Sequence, residues 1–228
     1  MKQFNKLNIS IFIALLFHVS GVIGILCTTH KHWFIQHTPI NLLVMFILLL
    51  YNQPKINIPF IWFTCIVFVA GLLFEIIGVN TGLLFGVYQY GNIMGYKLMG
   101  VPLLMGIQWA VIIICSGTIM YYLQNAVLKK MNHSAITIHP LLHRLSNVID
   151  GALLATFFDF IMEPIAMQLN FWNWKNNAIP MYNYLCWFII SSCLLWLFNK
   201  LQFNKTNQFA IHLFIIQLLF FIVLRIFL

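Results

Sequence analysis

Apolar residues run through this 228-residue chain in seven blocks, separated by short polar or glycine-rich stretches. The blocks cover about Leu7–Cys27, Pro39–Tyr51, Pro59–Val79, Val101–Gln124, Asp150–Trp174, Tyr182–Phe198 and Gln208–Phe227. A hydrocarbon core ~30 Å thick needs about 20 helical residues to cross, and most of the blocks approach or exceed that length. The second is short; it reaches full length only by starting near Trp33, with Pro39 tolerated in its first turn. The pattern predicts an all-α polytopic membrane bundle of about seven transmembrane helices, a single integral membrane domain over residues 1–228. The first block is too long for a signal-peptide core and lacks a small-residue cleavage site, so it is expected to stay as the first span.

Polar positions inside these blocks are few and patterned. At ~100° per residue, Ala152, Ala155, Asp159, Glu163 and Ala166 fall on one narrow helical face, with Thr156 at its edge. The opposite side is bulky: Leu153, Leu154, Phe157, Phe158, Ile161 and Ile165. In the third block Thr64, Phe68, Gly71, Glu75 and Gly78 share a face, again small residues around a carboxylate. An ionised carboxylate at the bilayer centre costs at least ~2.5–3.5 kcal/mol, so both stripes are expected to face the protein interior. Asp150 points away from the stripe and reads as an N-terminal cap. Pro164 directly follows Glu163; within a helix it frees the Phe160 carbonyl and bends the axis beside the acids.

Composition agrees with the pattern. Hydrophobic residues make up 62% and charged residues 7%, against about 25% charged in soluble domains. The net charge of +8 is spread over short loops and does not suggest nucleic acid. With seven spans, the N-terminus and the loops after spans two, four and six carry Lys2, Lys6, Lys55, Lys129, Lys130, Arg144, Lys200 and Lys205. The other side carries Lys31, Lys97, Lys175 and Arg225. The positive-inside rule then predicts a cytoplasmic N-terminus in a multi-pass protein of the cell membrane. The same count puts two aromatic loops, 80–100 and 172–181, on the outer side, with Glu75, Asp159 and Glu163 beneath them converging on one internal pocket. Five cysteines form no CxxC pair and read as packing residues.

Several chemistries fit buried acids. Removal from water disfavours an anion, so a neutral carboxylic acid can protonate a weak base such as an alkene while a second carboxylate stays ionised. Phe85, Tyr88, Tyr90, Phe171, Trp172 and Trp174 could line such a site and stabilise a cation, or equally form an interfacial belt. Histidines suggest a di-iron alternative, but His139 and His143 make one HxxxH while His30, His32 and His37 lie on the opposite side. A proton-coupled transporter or lipid carrier would use the same acids as a relay, yet no repeat or midplane broken helix is evident. A non-catalytic binding or scaffold subunit is a third possibility.

Two blocks of residues resemble a known family. The first is Glu75-Ile76-Ile77-Gly78, then Thr81-Gly-x-x-Phe85-Gly-x-Tyr88-x-Tyr90, then Gly95-x-Lys97-Leu98-x-Gly100-Val101-Pro102. The second is Ala155-Thr156-x-x-Asp159, Glu163-Pro164, Phe171-Trp172-x-Trp174 and Ile179-Pro180-x-x-Asn183-x-x-x-Trp187. Together, over about residues 60–190, they resemble the carotenoid biosynthesis membrane proteins, a family that includes carotenoid 1,2-hydratases such as gamma-carotene 1'-hydroxylase and bisanhydrobacterioruberin hydratase. Glu163 departs from the family pattern, which has Asp before the proline; the carboxylate is kept with a longer reach. The resemblance implies addition of water to the terminal C1–C2 double bond of an acyclic carotenoid end, giving a tertiary alcohol. No cofactor and no metal are expected, and the partners are a carotenoid substrate and membrane lipid. Glu75, Asp159 and Glu163 are the catalytic candidates. Thr81, Phe85, Tyr88, Tyr90, Gln108, Trp172, Trp174 and Asn183 are the substrate-binding candidates.

Overall fold

The structure, a computed structural model, describes residues 5–132 and 140–228. Its long helices are α1 (Lys6–Cys27), α4 (Ile58–Thr81), α5 (Leu104–Asn132), α6 (Pro140–Gln168), α7 (Met181–Lys200) and α8 (Gln208–Phe227). All six are long and apolar enough to cross a membrane. The chain is an all-α multi-pass membrane protein. Between α1 and α4 lie two shorter helices, α2 (Lys31–Gln36) and α3 (Thr38–Tyr51). The second block therefore does extend toward Trp33, but as two pieces broken at His37. Proline has no N–H to give and favours a helix start; Pro39 sits in the first turn of α3. At 1.5 Å per residue α3 is about 21 Å long, shorter than a full crossing.

Local signals set the helix ends. The Asn57 side chain accepts the Phe60 N–H at 3.2 Å, with Pro59 in the first turn. At the other end Gly82 takes the left-handed conformation (φ 67°) and its N–H closes on the Gly78 carbonyl at 2.8 Å. This is the usual glycine stop. Of the six long spans α5 is the most buried and α1 the least. α5 packs against α3, α4, α6, α7 and α8; α6 lies along α7, and α1 lies along α8.

Glycines on α4 admit aromatic side chains at two places. A Cβ at Gly71 would stand 2.5 Å from Trp109 Cγ, and one at Gly78 would stand 2.8 Å from Phe85 Cδ2 and 3.0 Å from the Tyr88 hydroxyl. The small stripe on α4 thus lets aromatic rings settle around Glu75.

Two aromatic loops meet at one end of the bundle. β1 (Tyr88–Tyr90) pairs antiparallel with β4 (Trp172–Trp174), in the register Tyr88–Trp174, Gln89–Asn173, Tyr90–Trp172. A second small hairpin, β2 (Lys97–Leu98) with β3 (Val101–Pro102), leads into α5. The hydrophobic pattern marks 80–100 and 172–181 as loops and does not predict the ribbon.

The α6 stripe is buried along its length. Ala152, Ala155, Asp159, Glu163 and Ala166 are all within 3% of fully buried. The bulky side is not uniformly outward: Leu153, Phe157 and Phe160 are exposed, whereas Phe158 and Ile165 are buried. Phe158 packs against Phe214 and Phe221 of α8, so α6 is covered from two directions. Asp150 is not an N-cap, because α6 begins ten residues earlier at Pro140. It accepts the Ser146 hydroxyl at 2.7 Å on an exposed face. The Phe160 carbonyl freed by Pro164 has found a donor, Arg225 Nη1 of α8, at 3.1 Å.

Candidate active site

Four helices and the β1–β4 ribbon deliver carboxyl groups and their partners to one cavity of about 20 Å³. Glu75 comes from α4, Asp159 and Glu163 from α6, Asn183 and Trp187 from α7. Met105, Gln108 and Trp109 come from α5, and the β1–β4 ribbon closes it with Tyr88, Tyr90, Trp172 and Trp174. The volume suits about one water, which needs roughly 10–15 Å³ of such space.

Each carboxyl is held by neutral donors, and in different numbers. Glu75 accepts three: the Tyr88 hydroxyl at 2.5 Å and the Tyr90 hydroxyl at 2.7 Å on Oε2, and Trp109 Nε1 at 3.0 Å on Oε1. Glu163 accepts two, Trp172 Nε1 at 2.8 Å and Trp174 Nε1 at 2.7 Å, both on Oε2. Asp159 accepts one, Asn183 Nδ2 at 2.8 Å on Oδ2. Its Oδ1 is buried without a hydrogen-bond partner. A buried polar atom left unmatched costs about 1–3 kcal/mol, and in a native fold it asks for an explanation. Burial first, and the neighbouring Glu75 charge second, hold both ribbon phenols well above the ordinary tyrosine range, so they remain O–H donors at neutral pH.

Aromatic faces surround the acids. Trp109 and Trp187 stack at 3.9 Å with planes 10° apart. Tyr88 leans on Trp174 at 4.7 Å, and Tyr90 meets Trp172 edge-on at 5.7 Å. Such faces attract a cation placed within about 6 Å. Phe85 joins the lining from a left-handed backbone (φ 64°), a conformation that costs a non-glycine residue about 1–3 kcal/mol.

Of the substrate-binding candidates, Phe85, Tyr88, Tyr90, Gln108, Trp172, Trp174 and Asn183 all line this cavity. Thr81 does not. It is exposed at the end of α4, where its hydroxyl bonds the Ile77 carbonyl and accepts the Leu83 N–H; its work is local. Met105, Trp109, Met162 and Trp187 also line the cavity and are not among the candidates drawn from the sequence. Helical spacing carries the signal for three: Trp109 follows Met105 by four, Met162 follows Asp159 by three, and Trp187 follows Asn183 by four, each on a shared face. His30 and His32 are exposed and His37 is half-buried around α2, and all three bond locally. His139 and the His143 side chain lie outside the described residues.

The fold and cavity define a class: a membrane helix bundle that holds carboxyl groups in an aromatic cage under a two-stranded ribbon. A family model described as carotenoid biosynthesis protein matches residues 37–228. The chain belongs to that family. No curated protein and no solved structure matches it.

Proposed function

We propose that the protein is a carotenoid hydratase that adds water to the terminal C1–C2 double bond of an acyclic end group. The observation that carries this reading is the buried, unpartnered Oδ1 of Asp159 in a cage where Glu75 accepts three hydrogen bonds and Glu163 two. Family membership supplies the substrate class.

In this reading Asp159 is the acid. Its Oδ1 carries the proton and passes it to C2, the π electrons forming the new C–H bond. The positive charge develops at the tertiary C1, against the Tyr88, Trp174 and Trp109 faces and near the Glu75 carboxylate. Charge developing in a preorganised, water-poor site is stabilised more than in water. Glu75 is already accepting three hydrogen bonds and serves as the fixed counter-charge. Glu163 is the base: both indoles fall on Oε2, which leaves Oε1 to orient a water and take its proton as the oxygen bonds C1. The proton then returns from Glu163 to Asp159, one helical turn away, and the net change is one water added. Asn183 and Tyr88 orient the two acids, and Gln108, Phe85, Tyr90 and Trp172 shape the end-group pocket. The chemistry is acid–base throughout and calls on no cofactor. In this reading the protein sits in the cell membrane, and the charge pattern of the loops supports an N-terminus inside.

The test is expression in cells that make an acyclic-ended carotenoid, followed by mass analysis in heavy-oxygen water. A product heavier by one labelled water supports hydration. An unchanged pigment favours a carrier or a non-catalytic binding subunit, and label arriving from oxygen gas would mean an oxygenase.

A further inference from the structure

A second cavity of about 60 Å³ adjoins the cage and shares four of its walls: Met105, Gln108, Met162 and Trp172. On its other side this chamber shares His18 and Phe220 with an outward-facing groove of about 250 Å³ between α1 and α8. The groove is lined by Leu15, Val19, Val22, Ile23, Leu219 and Val223, a surface suited to hydrocarbon. Groove, chamber and cage form one series, each sharing wall residues with the next.

Resting on the hydratase reading of the cage, we propose that the substrate's long apolar chain reaches the acids sideways from the bilayer, between α1 and α8, with His18 and Phe220 as the gate. The cage holds about one water, so only the reacting end of a long isoprenoid could lodge there once side chains move apart. The rest of the chain must lie in the chamber and groove while the chemistry occurs. A molecule that dissolves only in lipid then never crosses water. The ribbon closes the opposite approach to Glu75 and Glu163.

The gate has a defined construction. His18 is buried, and its Nδ1 lies 2.7 Å from the Ala14 carbonyl. A carbonyl only accepts, so Nδ1 carries the hydrogen and the ring is fixed on α1. Phe220 meets that ring edge-on at 5.4 Å, and Gly21 leaves it room, since a Cβ there would sit 3.2 Å from Phe220 Cε2. α1 is the least buried of the six long spans and lies ahead of the residues the family model matches. Its low burial makes it the span most able to yield.

The experiment uses the full protein in phosphatidylcholine vesicles, with a full-length acyclic carotenoid and a short isoprenoid alkene bearing the same end. The long substrate occupies the gate during turnover; the short one passes it and fits within. Phe220→Trp narrows the gate, and should raise KM for the long substrate about tenfold, the scale of a small steric mismatch in an apolar pocket, with kcat held and the short substrate little affected. Phe220→Leu should relieve the gate and lower the long substrate's KM. Equal effects on both substrates, or none, would overturn the route while leaving hydration intact. A photoreactive benzoylphenylalanine at Leu219 gives an independent reading that needs no turnover. It should crosslink the added polyene, and capture of phospholipid alone would overturn the proposal.

Discussion

Asp159→Asn separates proton donation from architecture. The amide keeps an oxygen to accept from Asn183 Nδ2, now at 2.8 Å on Oδ2. It puts an NH2 group where Oδ1 is unpartnered today, exchanging one unmatched atom for another of similar cost, about 1–3 kcal/mol. The variant should insert and melt within about 1 kcal/mol of the native protein. Its turnover should fall about 10²–10⁴-fold, the usual worth of a general acid, or ~3–5 kcal/mol of barrier. The assay is single-turnover conversion of an acyclic-ended carotenoid in vesicles, with thermal unfolding of the same preparation as the structural check. Asp150→Asn is the control: that carboxyl accepts the Ser146 hydroxyl on an exposed face and should change turnover by less than about twofold. Loss of hydration in Asp150→Asn with normal turnover in Asp159→Asn would refute the assignment. Loss in Glu75→Gln alone would move the proton donor to Glu75.

Trp174→Phe keeps the ring and removes one of two indole donors on Glu163; kcat/KM should drop about tenfold or more, since a hydrogen bond to a charged group is worth ~1.5–3 kcal/mol. Glu163→Asp should retain partial turnover and Glu163→Gln almost none, read in the same conversion assay. Gly71→Ala drives a methyl to 2.5 Å from Trp109 Cγ; overpacking of this kind costs about 1–3 kcal/mol, visible as a lower Tm. Arg225→Leu removes the donor on the Phe160 carbonyl and should cost about 1 kcal/mol, with Arg225→Lys recovering part of it.

What could be read from the sequence was whatever periodicity controls. A carboxylate in an apolar helix has few places to go, so the stripe Ala155, Asp159, Glu163, Ala166 marked the inward face of α6, and the Gly71–Glu75–Gly78 stripe marked that of α4. Helix limits were less legible where polar residues continue a helix beyond the lipid, as before Asp150, because polar residues do not stop a helix that tertiary contacts support. The ribbon was missed although both loops carry an aromatic–polar–aromatic triplet, Tyr88-Gln89-Tyr90 and Trp172-Asn173-Trp174, each a period of two. Three residues are too few to distinguish a strand from an irregular loop, and only the pairing of two distant triplets makes the period meaningful. Thr81 is a different case: a motif residue beside the site whose hydroxyl bonds the end of its own helix and the turn that follows.

The ribbon register explains how two glutamates from different helices come to be held together. Tyr88 and Tyr90 both donate to Glu75, and Trp174 and Trp172 both donate to Glu163. In the ladder Tyr88 faces Trp174 and Tyr90 faces Trp172. Each cross-strand pair therefore supplies one donor to each glutamate, while Gln89 between them is exposed. A slip of one residue would turn a strand's aromatics to the outer face and leave one glutamate without its ribbon donors. Burial of an unmatched carboxylate is costly, so the acids help select the register, and the register in turn positions the acids. Asp159 stands outside this arrangement, tied only to Asn183 on α7. The carboxyl with the fewest partners is the one whose oxygen can exchange a proton without dismantling the cage around it.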